Sequence, residues 1–274
     1  MTLRSGTVEV NGARIYHEVR GDGPSVLFIS GATGDAGHYS SVAAGLADEF
    51  TTITYDRRGN SRSPAPAGWT TTSIDEQADD AAALVTELGV APVAVFGSSG
   101  GGAILTNLLV RRPEAVRGAT IHEPVLVPVL PYAAELMSGL MEKLAGALAD
   151  GPRAGMEAFV RAAAGDAAFG GLDASTRERM LGNGELFFGT ELQPMGSYAP
   201  DDVDLVGVRV PVFVAAGADN RDPSSPNHYL WDTSEWAASA FGVDVIEFPG
   251  GHTPYFSHPE ETAEILRPLL RKMG

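Results

Sequence analysis

A serine flanked by glycines, Gly97-x-Ser99-x-Gly101, is the most informative chemical pattern in the chain. An apolar run at residues 93–96 precedes it, and a second apolar run follows at residues 104–110. A strand, a sharp turn and a helix in this order are typical of the nucleophile elbow, in which the serine lies in a strained turn and the glycines permit close backbone approach. Ser99 is therefore a candidate nucleophile.

A glycine-rich turn without any chemistry is the alternative interpretation of this segment. The strand before it and the helix after it favour catalysis, because they place Ser99 at a helix N-terminus, where free N–H groups stabilise a developing oxyanion. Phosphate binding fits poorly, since no lysine follows the glycines and their spacing is not that of a dinucleotide fingerprint.

A nucleophilic serine needs a base that accepts its proton, and the chain contains six histidines. His252 lies in a glycine-flanked loop after the last predicted strand, at the sheet edge where the elbow emerges, so we select it as the base. We interpret the other five as structural or surface residues, with substrate contact as the alternative for His38, which follows the glycine-rich loop; His122 adjoins the candidate acid Glu123.

The base in turn needs a carboxylate that fixes its tautomer and stabilises the imidazolium. Glu123 ends the strand after the elbow helix, and Asp219 ends a later strand. Either residue gives the chain order serine, acid, histidine. A salt bridge would be the structural role of Glu123, and a turn that of Asp219, so the residue pattern alone leaves both open.

Oxyanion stabilisation needs two backbone donors. The N–H of Gly100 directly follows the nucleophile, and Ala32 lies in a glycine-rich loop after a buried strand, so we expect these two to form the oxyanion hole. The sequence contains no cysteine, no HExxH pattern and no cluster of His and Asp ligands. We therefore expect catalysis without a metal or another cofactor.

Strands and helices alternate through much of the chain. Asn11-Gly12 predicts a hairpin turn, and the Ser73–Glu76 spacing predicts a capping box at a helix start. Buried strands are predicted at residues 26–29, 52–55, 93–96, 116–121 and 211–216. This alternation predicts an α/β protein with a mostly parallel sheet that helices cover on both faces.

The alternation stops at residues 125–205, where the pattern predicts several helices and no strand. We expect a helical cap there, inserted into an α/β core formed by residues 1–124 and 206–274. Most of its apolar side chains should pack within the cap, and some should cover the site. We expect the following residues to contact substrate: Gly31, Thr33, Ser98, Leu126, Phe187, Phe188 and Pro254.

Composition limits the choice of function. With 274 residues and 44% apolar content, the chain can bury a sizeable core. The net charge of −16 argues against nucleic acids and anionic membrane surfaces as partners. Neither a membrane span nor a signal-peptide core is evident, so we expect a cytoplasmic protein. The apolar cap and acidic surface favour a small neutral, hydrophobic substrate, and a homodimer remains open.

As an ordered set, the motifs resemble those of the α/β-hydrolase superfamily, and the resemblance covers nearly the whole chain. The motifs that carry it are Gly31-Ala32, residues 55–63, the elbow around Ser99, and Gly251-His252. The resemblance implies an α/β-hydrolase fold with a helical cap insertion. Residues 97–100, 122–124 and 251–259 resemble more specifically the zearalenone lactonases, which open a resorcylic macrolactone.

This closer resemblance implies that Glu123 is the acid, because the lactonases use the glutamate that follows the strand after the elbow. One subgroup of haloalkane dehalogenases also has a glutamate there. In many other family members the acid follows the later strand, at the position that Asn220 occupies here, and Asp219 lies one residue earlier. We therefore expect Glu123, with Asp219 as the alternative. The cap lacks the tryptophan that the lactonases place against the macrolactone.

The sequence thus predicts a serine hydrolase of a carboxylic ester or lactone, acting through an acyl-enzyme on Ser99. A zearalenone-type macrolactone is one candidate substrate. A carbon–carbon bond hydrolase with the same triad is one alternative, and a non-catalytic ligand-binding protein on a hydrolase scaffold is another. Serine at the elbow argues against dehalogenase and epoxide hydrolase activity, which use aspartate there in this fold.

Overall fold

The structure is a computed structural model that describes residues 2–274. The strands are β1 Arg4–Val10, β2 Ala13–Arg20, β3 Ser25–Ile29, β4 Thr51–Tyr55, β5 Val93–Ser98, β6 Val116–His122, β7 Val212–Gly217 and β8 Val245–Phe248. The α-helices are α1 Ser40–Leu46, α2 Ile74–Glu87, α3 Gly100–Arg111, α4 Ala133–Ala149, α5 Pro152–Ala164, α6 Asp166–Gly171, α7 Ala174–Gly182, α8 Gly184–Leu186, α9 Leu192–Ser197, α10 Asp202–Val206, α11 His228–Phe241, α12 Pro254–Ser257 and α13 Pro259–Lys272. A π-helical turn, Phe187–Glu191, joins α8 to α9.

The eight strands form one sheet in the order β1-β2-β4-β3-β5-β6-β7-β8. The pairs β1–β2 and β2–β4 are antiparallel, and the other five pairs are parallel. The predicted mostly parallel sheet is therefore confirmed. The chain turns to opposite sides of β3 when it forms β4 and then β5, and ligands in open α/β sheets bind at such a switch point, beyond the carboxyl ends of the strands.

The predicted hairpin turn is confirmed, and the predicted capping box is present only in its Ser73 half, because the Glu76 carboxylate bonds with Trp69 and Thr72 instead. Asn11 and Gly12, with φ values of 46° and 75°, form the tight turn between β1 and β2. Ser73 Oγ accepts the N–H of Glu76 at 3.1 Å, which caps the first turn of α2. The backbone thus enters α2 with one of its free N–H groups already satisfied.

Alternation along the central strands fills two cores, one on each face of the sheet. Leu27 and Val95 face the helices α2 and α3, whereas their neighbours Phe28 and Phe96 face α1 and α13. Because both faces are covered, these strands are apolar at successive positions, as buried parallel strands must be. The carboxyl ends of the strands are thereby held in fixed positions.

The segment between β6 and β7 contains helices and no strand within the described residues. The sequence pattern predicts one helix at residues 175–188, whereas the structure has α7, α8 and part of the π-helical turn there. The pattern also predicts a helix at residues 39–50, but in the structure a 3-10 turn, Ala36–Tyr39, precedes α1, and α1 ends at Leu46. No helix in the part of the chain that the structure describes is long and apolar enough to cross a membrane.

Candidate active site

Ser99 lies between β5 and α3 in a left-handed backbone conformation, with φ 60° and ψ −128°. Non-glycine residues adopt this region at a cost of about 1–3 kcal/mol, and such strain is concentrated at functional sites. A Cβ at Gly97 would overlap the carbonyl of Gly101, and a Cβ at Gly101 would overlap the carbonyl of Ile29. The glycines are therefore required for the tight strand–turn–helix path that presents Ser99.

His252 and Glu123 come together although they are far apart in the sequence. The Nδ1 atom of His252 lies 2.6 Å from Oε2 of Glu123. Both residues are buried, with 7% of His252 and 0% of Glu123 exposed. An ionised Glu123 accepts the Nδ1–H, which leaves Nε2 of His252 as the proton acceptor.

The second carboxylate oxygen of Glu123 also accepts hydrogen bonds. Oε1 accepts the backbone N–H of Gly217 and the Nδ2–H of Asn220, each at 2.8 Å. Burial alone would raise the pKa of Glu123, but the hydrogen bond from His252, the charges of His122 and His252 and the bond from Asn220 together lower it. The acid is thus held in its charged form.

The two candidate acids occupy different environments. Glu123 contacts His252, whereas the side chain of Asp219 is exposed and its backbone N–H donates to Gly250. The neighbouring Asn220 is buried instead. In this geometry Glu123 has the contact that an orienting acid requires, and Asp219 has none with the histidine.

Two backbone N–H groups, those of Ala32 and Gly100, are available at the cavity that also contains Ser99 and His252. Among the described residues neither N–H donates a hydrogen bond. Gly31 packs directly against the elbow, since a Cβ at Gly31 would lie 2.9 Å from the Cβ of Ser99. This arrangement offers two donors beside Ser99, the candidate nucleophile, as an oxyanion hole requires.

Ser99 Oγ and His252 Nε2 make no hydrogen bond in this structure, although both residues line the same cavity. Catalytic hydrogen bonds are often long before substrate binds, so this geometry is compatible with the expected role of His252 as a base. Within residues 2–274, no group of three or more His, Asp or Glu side chains is placed to hold a metal ion.

The cavity has a volume of about 320 Å³ and is mainly apolar. Its apolar walls come largely from the helical segment: Leu136, Met137, Leu140, Phe159, Phe187, Leu192 and Met195. Polar side chains are fewer, and Glu135 and Lys143 lie where the lining is exposed to solvent. The cavity suits a ligand with much apolar surface and one reacting polar group.

Of the seven residues expected to contact substrate, Phe187 lines the cavity and the other six do not. Leu126 is 0% exposed in the core. Thr33 Oγ1 bonds with Nδ1 of His38 at 2.6 Å, and Ser98 Oγ bonds with Nδ1 of His122 at 2.9 Å. Ser98 ends β5, and its side chain is buried against His122 rather than in the cavity.

The remaining three residues of that set support the site rather than line it. Gly31 contacts the elbow, as described above. Phe188 packs edge-on against Phe187, with ring centroids 5.1 Å apart. Pro254 is buried at the start of α12. Sequence periodicity could not separate these packing roles from substrate contact, since all three are apolar or small residues in the predicted segments.

Tyr229 is a cavity residue that the sequence pattern does not reveal. It lines the cavity near the start of α11, and among the described residues its hydroxyl has no hydrogen-bond partner. Burial, and secondarily the charge of Glu123, raise its pKa well above the usual value, so the phenol remains a hydrogen-bond donor. A tyrosine in an ordinary amphipathic helix carries no signal for such a role.

The fold and this constellation together define a hydrolase of the α/β class. Residues 26–265 match the family described as the Alpha/beta hydrolase family, and the chain belongs to that family. Uncharacterized hydrolase YraK of Bacillus subtilis (strain 168) is 32% identical, over 99% of this chain and 98% of its own length. The zearalenone hydrolase of Bionectria ochroleuca is 28% identical, over 99% of both chains.

A solved structure extends the likeness to three dimensions. The thermophilic esterase from Thermogutta terrifontis, with malate bound, superposes with a TM-score of 0.77 at 21% identity. The alignment covers 98% of this chain and 99% of the esterase. The resemblance to the α/β-hydrolase superfamily, with similarity to zearalenone hydrolases, is therefore confirmed.

Proposed function

We propose that the protein is a cofactor-independent serine hydrolase that cleaves a carboxylic ester or lactone. The observation that carries this proposal is the convergence on one cavity of Ser99, the His252–Glu123 pair, and the free N–H groups of Ala32 and Gly100. Each element of acyl transfer has a group in reach: a nucleophile, an oriented base and donors for the oxyanion.

The reaction begins when Ser99 Oγ attacks the substrate carbonyl carbon and its proton passes to Nε2 of His252. The carbonyl oxygen becomes an oxyanion that accepts the N–H groups of Ala32 and Gly100. The carbon–oxygen bond of the ester then breaks, and His252 returns the proton to the leaving alkoxide. The acyl group remains on Ser99.

Deacylation repeats these steps with water. A water molecule attacks the acyl carbon as His252 accepts one of its protons, and the bond to Ser99 Oγ breaks as that oxygen regains a proton. The products of an ester are an acid and an alcohol. For a lactone, both groups stay in a single opened molecule.

The cavity supports a small, neutral, hydrophobic substrate, because apolar side chains form most of its walls. We propose that residues 125–205 act as a cap over a core of residues 1–124 and 206–274, since both parts line this cavity. Similarity to the zearalenone hydrolase of Bionectria ochroleuca makes a zearalenone-type macrolactone the first substrate to test.

The test is to incubate purified protein with zearalenone and with a panel of 4-nitrophenyl esters, and to identify products by chromatography and mass spectrometry. We expect a product with one added water, or its decarboxylated derivative, from wild type. Ser99→Ala should reduce turnover by about 10⁴-fold or more, because the nucleophile is lost.

The exposed Ser224→Ala variant is the matched control and should retain full activity. Hydrolysis by Ser99→Ala at a rate near wild type would refute the proposal. Ester hydrolysis without any effect on zearalenone would keep the serine mechanism and exclude the macrolactone. Inactivity on every ester, with cleavage of a vinylogous diketone, would favour the carbon–carbon hydrolase.

A further inference from the structure

Three polar side chains of one helical stretch, residues 179–191, bind the loops that follow β3 and β4. Arg179 forms a two-pronged ion pair with Asp35, with N–O distances of 2.7 and 3.0 Å. Asn183 donates to the carbonyl of Thr33 at 2.6 Å, and its Oδ1 accepts the N–H of Ser61 at 2.8 Å. The third side chain, Glu191, lies deepest.

Glu191 forms a buried ion pair with Arg57. The two N–O distances are 2.6 and 2.7 Å, and both side chains are 0% exposed. Asn60 donates to the same carboxylate at 3.0 Å. A pair without access to water is very sensitive to the loss of one partner, because an uncompensated charge would remain in the interior.

Arg57 uses all five of its N–H groups. Two of them donate to the carboxylate of Glu191, and one donates to the side-chain oxygen of Gln77 at 3.2 Å. The other two donate to backbone carbonyls, that of Ser30 at 3.1 Å and that of Gly31 at 2.9 Å. With every donor engaged, the planar guanidinium has a single orientation.

The contact with Gly31 bears directly on the oxyanion hole. The carbonyl of Gly31 and the N–H of Ala32 belong to one peptide group, which is planar and trans, so the two point in opposite directions. The guanidinium, together with the N–H of Gly34 that donates to the same oxygen at 3.1 Å, therefore fixes the direction of the Ala32 N–H. That N–H is free at the cavity.

We infer that Glu191 is a positioning residue for the oxyanion hole: it orients Arg57, which in turn aims the Ala32 N–H at the reacting oxygen. The inference rests on the proposed function. It assigns to residues 179–191 a part in stabilising the transition state, in addition to forming a wall of the cavity.

The test uses phenylboronic acid, which mimics the tetrahedral intermediate and needs no knowledge of the substrate. Ser99 Oγ bonds to boron, its proton passes to His252, and boron becomes a four-coordinate anion from which nothing leaves. Calorimetric titration gives the affinity. We expect Glu191→Gln to bind phenylboronic acid about 10–100-fold more weakly than wild type.

Kinetics on a 4-nitrophenyl ester should show the same loss in kcat with little change in KM, since ground-state binding does not use the oxyanion hole. A purely structural defect would not single out kcat and boronate affinity. Glu191→Asp, which keeps the charge, should recover part of both. The exposed pair Arg153–Glu178 in the same region supplies the control, and Glu178→Gln should match wild type.

A second variant tests the inference if Glu191→Gln does not fold. Arg57→Met combined with Glu191→Leu removes both charges, and such replacements of buried pairs often preserve stability. We expect this double variant to fold and to lose boronate affinity to a similar extent. Wild-type affinity in either folded variant would overturn the inference and leave the proposed function intact. Equal binding by Ser99→Ala and wild type would instead overturn the proposed function.

Discussion

Each oxygen of the Glu123 carboxylate has its own partners. One accepts from His252 at 2.6 Å, and the other accepts from Gly217 and Asn220 at 2.8 Å. Glu123 also has a left-handed backbone, with φ 41°, a conformation that is uncommon for residues with side chains. The strained backbone and the complete set of donors both indicate that this carboxylate must remain in one position.

The first prediction at this scale separates the two candidate acids. Glu123→Gln should lower kcat by about 10³–10⁴-fold, because a Gln amide that faces Nδ1 favours the wrong tautomer of His252. Asp219→Asn should stay within about twofold of wild type, because that side chain is exposed. Steady-state kinetics on an ester that the protein cleaves decide between them. A larger loss of kcat in Asp219→Asn than in Glu123→Gln would make Asp219 the acid.

A second prediction concerns Asn220, which occupies the position where the family resemblance implies an acid in many other members. Asn220→Asp would bring a second carboxylate next to Glu123 in a buried site. Two such groups ionise together only with difficulty, and when both are charged they hold the His252 proton more tightly. We therefore expect the acidic limb of the kcat/KM pH profile to move up by about one pH unit or more.

Asn220→Ala is the control for this change, since it removes the amide without adding charge. It should lower the rate and move the acidic limb by much less than Asn220→Asp does. Profiles of Asn220→Asp and wild type that coincide between pH 5 and 9 would contradict the coupling between these two positions.

At the scale of elements, the sheet could be predicted because its signals are local. Apolar runs mark the buried strands β3, β5 and β7, and Asn11-Gly12 and Ser73–Glu76 mark a turn and a cap. The elbow could be predicted for the same reason, since its strand, turn and helix are consecutive. Parallel strands then bring the candidate catalytic residues together, because the carboxyl ends of these strands lie at one edge of the sheet.

The helical segment is less predictable because its boundaries depend on tertiary contacts. Its helices α6, α8 and α9 are each six residues or fewer, too short to have a distinct periodicity. The π-helical turn that contains Phe187 ends at Glu191, whose carboxylate meets a core arginine 134 residues earlier in the chain. No local pattern identifies such a partner, so the sequence alone favours pairing of Arg57 around its own turn.

At the scale of the whole molecule, two opposing effects act when the pH falls. The chain has 35 acidic and 19 basic residues, so protonation relieves the repulsion associated with its net charge of −16. Two buried histidines act in the other direction. Burial lowers the pKa of His122 to about 4 and that of His38 to about 3. In both rings Nε2 has no hydrogen-bond partner within residues 2–274, as suits a neutral imidazole.

These histidines predict the sign of the pH dependence of stability. In the unfolded chain both titrate near pH 6.5, so below that pH the unfolded state binds protons that the native state cannot. Their contribution is complete above pH 6.5, and it is lost as the pH falls towards 4 for His122 and towards 3 for His38. In that window each histidine lowers the free energy of unfolding by about 1.4 kcal/mol per pH unit.

We therefore expect His122→Gln and His38→Gln each to lose less stability than wild type between pH 6.5 and 4.5. The double variant should lose less than either single variant. Urea unfolding at each pH measures this slope directly, and comparison of slopes cancels the carboxylate contributions that all four proteins share. Because each substitution removes a proton-binding site from the unfolded chain, the effect is independent of how well the new amide packs. Equal slopes in wild type and the double variant would show that the two rings take up protons in the folded protein, against the burial that surrounds them.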